Sequence, residues 1–388
     1  MDGWISNTLI VVAAVNLVAV LVCLGLLALG RMRTRRLGAV ELEELGEWPS
    51  VSLVVPARNE ELYVEKAVRS LTRLDYPRLQ ITIINDRSTD RTGAILDSLA
   101  ADFPQLNVVH VTELPEGWLG KNHAMQLGAD RSTGEWLLFT DADIVYEPTA
   151  LRRAMLYVRR EQLDNLSAWP VIHAPTWLLG VFMTTFSIYL FLFVRVWWIR
   201  NPKSTAHIGV GAFNLVRADV YRAVEGHQRI RLRPDDDLKL GKIIKLAGYR
   251  QDLIDATEML SLEMYRSVGE LVRGLEKNAY SGSDYNIPLT VTTVLLSLLW
   301  NVWPFVAVFV VAGPARWIYV EVCLSLWAMA LGCSRTLRTP ASCALAYPIG
   351  VLMFSYILMR TMLLNHYEGG IRWRDTHYPL AELRANRV

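Results

Sequence analysis

Three features of this 388-residue chain predict an α/β fold with a mostly parallel sheet, flanked by transmembrane helices at its N-terminal and C-terminal ends. From Val51 onward, short apolar runs rich in strand formers alternate with segments whose apolar residues recur every three or four positions. That alternation is the pattern of strands joined by crossover helices. Polar clusters follow three of those strands, at 56–61, 85–90 and 141–143, and such sheets bind ligands beyond the C-terminal ends of their strands. Finally, the apolar excess (52% of the residues) gathers at both ends of the chain and in one central patch.

Thr8 to Leu29 is uncharged, with Asn16 as its polar break, and about 20 apolar residues cross the hydrocarbon core. The stretch is too long for a signal-peptide core and no basic residue precedes it, so it reads as an anchor helix. Arg31, Arg33, Arg35 and Arg36 follow at once, whereas the segment before it carries only Asp2. Positive charge marks the cytoplasmic side, which places residue 31 onward in the cytoplasm. Residues 1–38 are therefore an anchor with a basic juxtamembrane segment.

Val51–Val55 reads as a buried strand closed by Pro56-Ala57-Arg58-Asn59-Glu60-Glu61, and a helix follows through Val64, Ala67, Val68, Leu71 and Leu74. A second strand, Ile81–Ile84, ends in Asn85-Asp86-Arg87-Ser88-Thr89-Asp90. A helix over about 91–101, a strand at Asn107–Val111, the loop Leu114–Asn122 and a helix over about 122–130 come next. The strand beginning at Trp136 then delivers Asp141-Ala142-Asp143. Hard cations such as Mg²⁺ and Mn²⁺ prefer carboxylate oxygens, taking one or two from the protein and the rest from substrate phosphates and water. Taken alone, D-A-D is equally a polar turn. Three polar clusters at equivalent strand ends make one site the better reading.

No G-x-G-x-x-G follows the first strand and no G-x-x-x-x-G-K-[ST] is present, which excludes the usual dinucleotide and P-loop modes. A net charge of +2 without a long basic run gives no reason to expect nucleic acid. Cys23, Cys323, Cys333 and Cys343 lie in or beside apolar stretches without C-x-x-C spacing and read as small hydrophobes.

Together, P-A-R-N-E-E, N-D-R-S-T-D, G-K-N-x-A and D-A-D, in this order over residues 48–285, resemble a family 2 glycosyltransferase of GT-A type. With the flanking apolar helices, the chain resembles the membrane-embedded branch that glycosylates lipids, such as ceramide glucosyltransferase and the hopanoid- and carotenoid-associated bacterial enzymes. The resemblance implies a Rossmann-like nucleotide-sugar domain, a UDP-linked hexose donor, a divalent cation (Mg or Mn) and a lipid acceptor. It implies that Pro56, Ala57, Arg58 and Glu60 line the nucleotide pocket and that Asp86 meets the uracil edge. Lys121 then meets the diphosphate, while Asp141 and Asp143 handle the sugar-nucleotide and its metal, Asp143 more directly. Asn85 stands where many members have Asp.

Arg233-Pro234-Asp235-Asp236-Asp237 precedes an amphipathic helix, Leu238–Ala247. The resemblance puts the catalytic base in such an acidic pair, with Asp236 favoured and Asp235 and Asp237 as alternatives because three consecutive Asp blur the register. Acids at a helix start also suit its dipole. His207–Asn214, with Gly209 and Gly211, resembles the family's acceptor loop. Arg273 to Asn278 stands in place of the Q-x-x-R-W motif of processive members, which is absent. This favours single-sugar transfer over polymer synthesis, and it leaves Arg273 and Lys277 as candidates to contact diphosphate.

Leu178–Val194 is uncharged, yet a crossing there would put Asp141 and Asp236 on opposite sides of the membrane. The helix at about 177–199 is therefore expected to lie in or dip into the interface, with Trp177, Trp197 and Trp198 in the headgroup layer. Further apolar stretches at about 289–312, 316–333 and 342–364 form a C-terminal membrane block within 286–366, followed by a basic tail, 367–388. The basic loop 334–338 suits a cytoplasmic turn, but counting three crossings leaves the basic Gly370–Arg374 outside, and the two signals conflict. Arg360, inside the last stretch, needs a polar partner or an interfacial position. The sequence thus predicts a multi-pass protein of the inner (plasma) membrane with a cytoplasmic catalytic domain. A processive polysaccharide synthase, or a transporter or scaffold with an inactive nucleotide-binding domain, are the alternative readings.

Overall fold

The computed structural model describes residues 3–263, 265–373 and 376–388; Asp2 and Arg374, which entered the charge counts above, lie outside them. The chain divides into two compact units. The first comprises Thr34–His173, Trp198–Glu263 and Ala385–Val388, and the second comprises Met1–Arg33, Ala174–Trp197 and Met264–Arg384.

Twelve strands occur among the described residues: β1 (Val51–Ala57), β2 (Leu79–Asp86), β3 (Leu106–Val111), β4 (Trp136–Phe139), β5 (Val145–Tyr146), β6 (Asn165–Trp169), β7 (Val171–His173), β8 (Asn214–Arg217), β9 (Gln251–Asp255), β10 (Leu260–Glu263), β11 (Gly370–Trp373) and β12 (Thr376–Pro379). The first unit holds a seven-stranded sheet in the order β3-β2-β1-β4-β8-β6-β9. β1 runs parallel to both β2 and β4, and β2 runs parallel to β3. β8 is antiparallel to its neighbours β4 and β6, while β6 and β9 are again parallel. The expected α/β fold with a mostly parallel sheet is what the chain adopts.

β1 is apolar on both faces because helices cover both: Leu53, Val54 and Val55 are fully buried. Crossover helices Val64–Leu71, Thr92–Asp102 and Gly120–Asp130 follow the first three strands. The last lies close enough to β1 that a Cβ on Gly128 would stand 2.3 Å from Val54 Cγ1. A second core cluster packs Val54, Met125 and Phe139 with Ile230, Leu240, Ile243 and Ile244. That cluster seats the helix Asp236–Leu246 on the same layer as the helix Gly120–Asp130.

The antiparallel β8 decides where the site forms. Phe139 pairs with Asn214, so the end of β4 lies beside the start of β8. The residues leaving β4, 140–143, therefore run along the residues entering β8, 208–213. Asp141 N donates to Gly211 O at 3.0 Å, and Thr140 Oγ1 to Ala212 O at 2.8 Å.

In the second unit, four helices are long and apolar enough to cross a membrane among the described residues: Ser6–Arg33, Trp177–Trp198, Pro314–Leu337 and Tyr347–Tyr367. A fifth candidate is the pair Ile287–Asn301 and Trp303–Val310, bent by 43°. Pro304 sits in the first turn of the second piece, where its ring blocks continuation of the helix before it. Polar side chains in this unit find partners. Tyr347 Oη donates to Asn301 Oδ1 at 2.9 Å, and Tyr189 Oη meets Ser297 Oγ at 2.5 Å. Arg360 Nε donates to Glu276 Oε1 at 2.9 Å, which supplies the polar partner its sequence position requires.

Candidate active site

The loops after β1 and β2 are tied to one another by their own side chains. Asn59 Oδ1 accepts from Thr89 N at 2.8 Å, and Glu60 N donates to Thr92 Oγ1 at 2.8 Å. Glu61 N donates to Asp90 Oδ2, and Arg91 N donates to Glu61 Oε2, both at 3.2 Å. Asn59 and Arg87 take positive φ, 56° and 55°, so each loop turns back sharply at one residue. Asp86 is buried at the end of β2 and receives two bonds from Arg87, at 2.8 and 3.0 Å, with Arg58 at 3.7 Å. Asn85 points to His110 instead, at 2.9 Å, so it is Asp86 that faces the neighbouring helix start.

That start is Gly120-Lys121-Asn122. A Cβ on Gly120 would stand 2.2 Å from Asp86 Oδ2, so only glycine lets the helix N-terminus approach the end of β2. Lys121 Nζ lies 2.9 Å from Asp141 Oδ1 and 3.4 Å from Asp236 Oδ1. One ammonium thus joins carboxylates that stand 95 positions apart in the chain (236 − 141). Burial pulls its pKa down, but Asp141, Asp236 and Asp237 outweigh burial and hold it above the ordinary lysine range. Asn122, fully buried, donates from Nδ2 to Ile230 O at 2.8 Å and Arg233 O at 2.9 Å. It secures the loop that carries the three aspartates.

Those three aspartates have different surroundings. Asp235 takes both prongs of Arg233, at 3.0 and 3.1 Å, and Arg233 is fully buried. Asp237 accepts from Gly211 N at 2.9 Å and Leu238 N at 2.7 Å. Asp236 is the one that reaches Lys121. Burial, then its acidic neighbours Asp237 and Asp141, raise its pKa to about 7 against the pull of Lys121.

Gly209 and Gly211 serve packing. A Cβ on Gly209 would fall 1.7 Å from Asp237 O, and one on Gly211 would fall 2.5 Å from Asp141 Oδ2. Their lack of a side chain lets helix Asp236–Leu246 and the D-A-D turn close on this loop.

Asp143 carries an unsatisfied oxygen. Its Oδ1 is buried without a hydrogen-bond partner, and a buried unpaired carboxylate oxygen costs several kcal/mol unless something neutralises it. Burial, then Asp141 and Glu60, raise its pKa to about 7. A hard divalent cation fits this donor set: carboxylate oxygens, excess negative charge and one orphaned acceptor. No three His, Cys, Asp or Glu side chains form a ready metal cluster among the described residues. The carboxylates the chain brings to this turn are Asp143 and Asp141.

The structure thus gathers Asp86, Lys121, Asp141, Asp143 and the Asp235–Asp237 run around one end of the sheet, with Pro56 and Ala57 ending β1 and Arg58 and Glu60 on the loop that follows. Arg273 and Lys277 belong to the helical unit, where Lys277 Nζ sits 4.5 Å from the Trp373 ring centroid. Sequence reading passed over Asn122, Asn59 and Arg233 as functional supports. Asn122 was legible as part of G-K-N; the buried Arg233 gave no signal, since arginine is normally exposed.

The family description "Glycosyl transferase family 2" matches residues 52–224. Beta-monoglucosyldiacylglycerol synthase of Synechocystis is 40% identical over 112 residues, which are 28% of this chain and 23% of that protein. The 4,4'-diaponeurosporenoate glycosyltransferase of Staphylococcus haemolyticus is 24% identical over 260 residues, 65% of this chain and 66% of that one. The chain therefore matches less than two thirds of the length of these relatives. Among solved structures, the mannosyltransferase PcManGT from Pyrobaculum calidifontis, in complex with GDP-Man and Mn2+, shares the fold. Its TM-score is 0.54 at 18% identity, over 92% of this chain and 99% of that one. The motif order, the sheet and these matches agree: residues 52–224 match the family 2 glycosyltransferase model, and the chain carries a domain of GT-A fold.

Proposed function

We propose that this protein moves a hexose from a nucleotide-diphosphate donor, UDP-linked by resemblance, to a hydroxyl of a membrane lipid, in one inverting displacement per acceptor. The observation that carries this reading is the bridge from Asp141 through Lys121 to Asp236. It puts a fixed positive charge for a departing diphosphate beside a carboxylate whose pKa, raised to about 7, suits proton abstraction. The relatives' names point to lipid acceptors, and the long apolar helices suit an enzyme that meets its acceptor at a bilayer. The cytoplasmic side for the sheet unit rests on the arginines after the first helix.

In this reading the nucleotide lies along the tied loops 56–61 and 86–92, with Asp86 facing its base. Lys121 meets the diphosphate and neutralises charge as it departs. A divalent cation held by Asp143 and Asp141 would supply further charge neutralisation on the diphosphate. Asp236 takes the proton of the acceptor hydroxyl as its oxygen attacks the anomeric carbon. The proton ends on the Asp236 carboxyl and the sugar–phosphate bond electrons on the leaving diphosphate. Asp235 and Asp237 hold the loop while Asp236 acts.

The test is purified protein with Mn²⁺, a panel of nucleotide sugars and total membrane lipid, with labelled products resolved by mass spectrometry. A lipid carrying one added hexose, absent with Asp143→Asn, supports the reading. Intact donor throughout, or a long polymer product, sinks it.

A further inference from the structure

We propose that Asn386 is a positioning residue for Asp236, and that the segment Ala385–Val388 braces the loop and helix on either side of the aspartate triplet. This rests on the function proposed above.

After the helical unit, the chain returns to the sheet unit for its last four residues. There the Asn386 amide bonds one loop twice: Nδ2 donates to Arg229 O, and Oδ1 accepts from Leu232 N, both at 3.1 Å. Three carbonyls of that loop are held from the segment that carries Lys121. Asn122 takes Ile230 O and Arg233 O, and Leu119 N donates to Arg231 O at 2.9 Å. Two asparagines thus grip a five-residue loop, one from the helix that carries Lys121 and one from the tail. An amide that both donates to and accepts from the same loop fixes the spacing of its two backbone partners, as a neighbouring strand does.

The tail is itself anchored on the far side of the triplet. Lys242 Nζ donates to Val388 O at 2.5 Å. The Val388 side chain packs against the cluster that contains Leu240, Ile243 and Ile244. Those residues belong to helix Asp236–Leu246. The brace therefore spans from Arg229 and Leu232, before the aspartates, to Lys242, after them. What it fixes is the approach of Asp236 to Lys121, not the donor loops, which are tied by Asn59, Glu60 and Glu61.

The experiment uses the full chain in detergent with the donor and lipid that the wild type accepts, comparing Asn386→Ala, Asn386→Asp and Arg387→Ala. Readouts are kcat, donor KM, melting temperature and exchange of the Leu232 amide hydrogen. Asn386→Ala is expected to lower kcat about tenfold, as small misplacements of a catalytic group do, with donor KM unchanged and Leu232 exchange accelerated. Asn386→Asp, which keeps the acceptor for Leu232 N and loses the donor, falls between; Arg387→Ala matches wild type. Should Asn386→Ala fail to fold, Asn386→Asp against Arg387→Ala carries the comparison. Wild-type kcat in the Asn386 variants, unchanged Leu232 exchange, or a kcat loss matched by an equal rise in donor KM overturns the brace alone. A wild type that transfers no sugar overturns the enzyme reading, and the brace with it.

Discussion

Two polar regions at the same end of the sheet are built on opposite terms. In the loops after β1 and β2, Asn59 bonds Thr89, Glu60 N bonds Thr92, and Asp90 accepts from Glu61 N and Thr92 N. Around the ends of β4 and the Asp235–Asp237 run, two carboxylates share a single lysine, and Asp143 keeps a buried oxygen without a partner. The first region is cross-linked by these bonds and is a shaped wall. The second is left electrostatically incomplete, which is costly in a folded chain unless a ligand completes it. Self-satisfaction therefore separates scaffold from chemistry better than residue type does.

The sharpest way to break this contrast is Asp236→Asn. Loss of the base is expected to cut kcat about 10²–10⁴-fold, with donor KM unchanged; full activity would return Asp236 to the scaffold. Asp143→Asn is expected to cost about 10³-fold in turnover, the several kcat-determining kcal/mol that metal-assisted charge neutralisation supplies. Cation titration by calorimetry should show weakened Mn²⁺ binding in the same variant.

The pH dependence follows from the raised carboxyls. With Asp143 and Asp236 both near 7, cation-free protein binds protons more readily folded than unfolded. Stability from these groups is full below the ordinary carboxylate pKa near 4 and is lost as pH rises through about 7. Thermal melts without cation should therefore fall between pH 5 and 8, Asp143→Asn should flatten that fall, and the rate should decline on the acid side of about 7. Melts that rise with pH over this range would contradict the burial argument.

Asp235→Ala tests the scaffold side. It removes both carboxylate bonds of the buried Arg233 guanidinium and should destabilise the protein by about 3 kcal/mol, while kcat per folded molecule falls far less than in Asp236→Asn. Smallest of all, Asn59→Ala removes one link of the loop clasp. It should cost about 1 kcal/mol in a denaturant melt and leave kcat within about twofold.

The first half of the sheet was legible because β1, β2 and β4 are continuous apolar runs ended by polar turns, and because the helices between them keep their apolar spacing. The second half was not. β6, β8 and β9 are strands of five, four and five residues, and the antiparallel pairing of β8 depends on partners far away in the chain. The acidic triplet could be seen but not sorted. Arg233 claims Asp235 and Gly211 N claims Asp237, and neither contact leaves a trace in spacing. The carboxylate pair was readable as D-A-D, whereas the orphaned oxygen that distinguishes Asp143 appears only once the turn is folded. Asn386 lay in a tail that composition described as merely basic.

Gly209 and Gly241 close on each other's neighbours so tightly that an added Cβ would fall 1.7 Å from Asp237 O and 1.9 Å from Ile208 O, respectively. The 208–211 stretch and the first residues of helix Asp236–Leu246 are consequently one interlocked block, with no slack for even a methyl group. Libraries that aim to retune the proposed acceptor preference, by directed evolution or by rational redesign, should leave both glycines intact and diversify elsewhere.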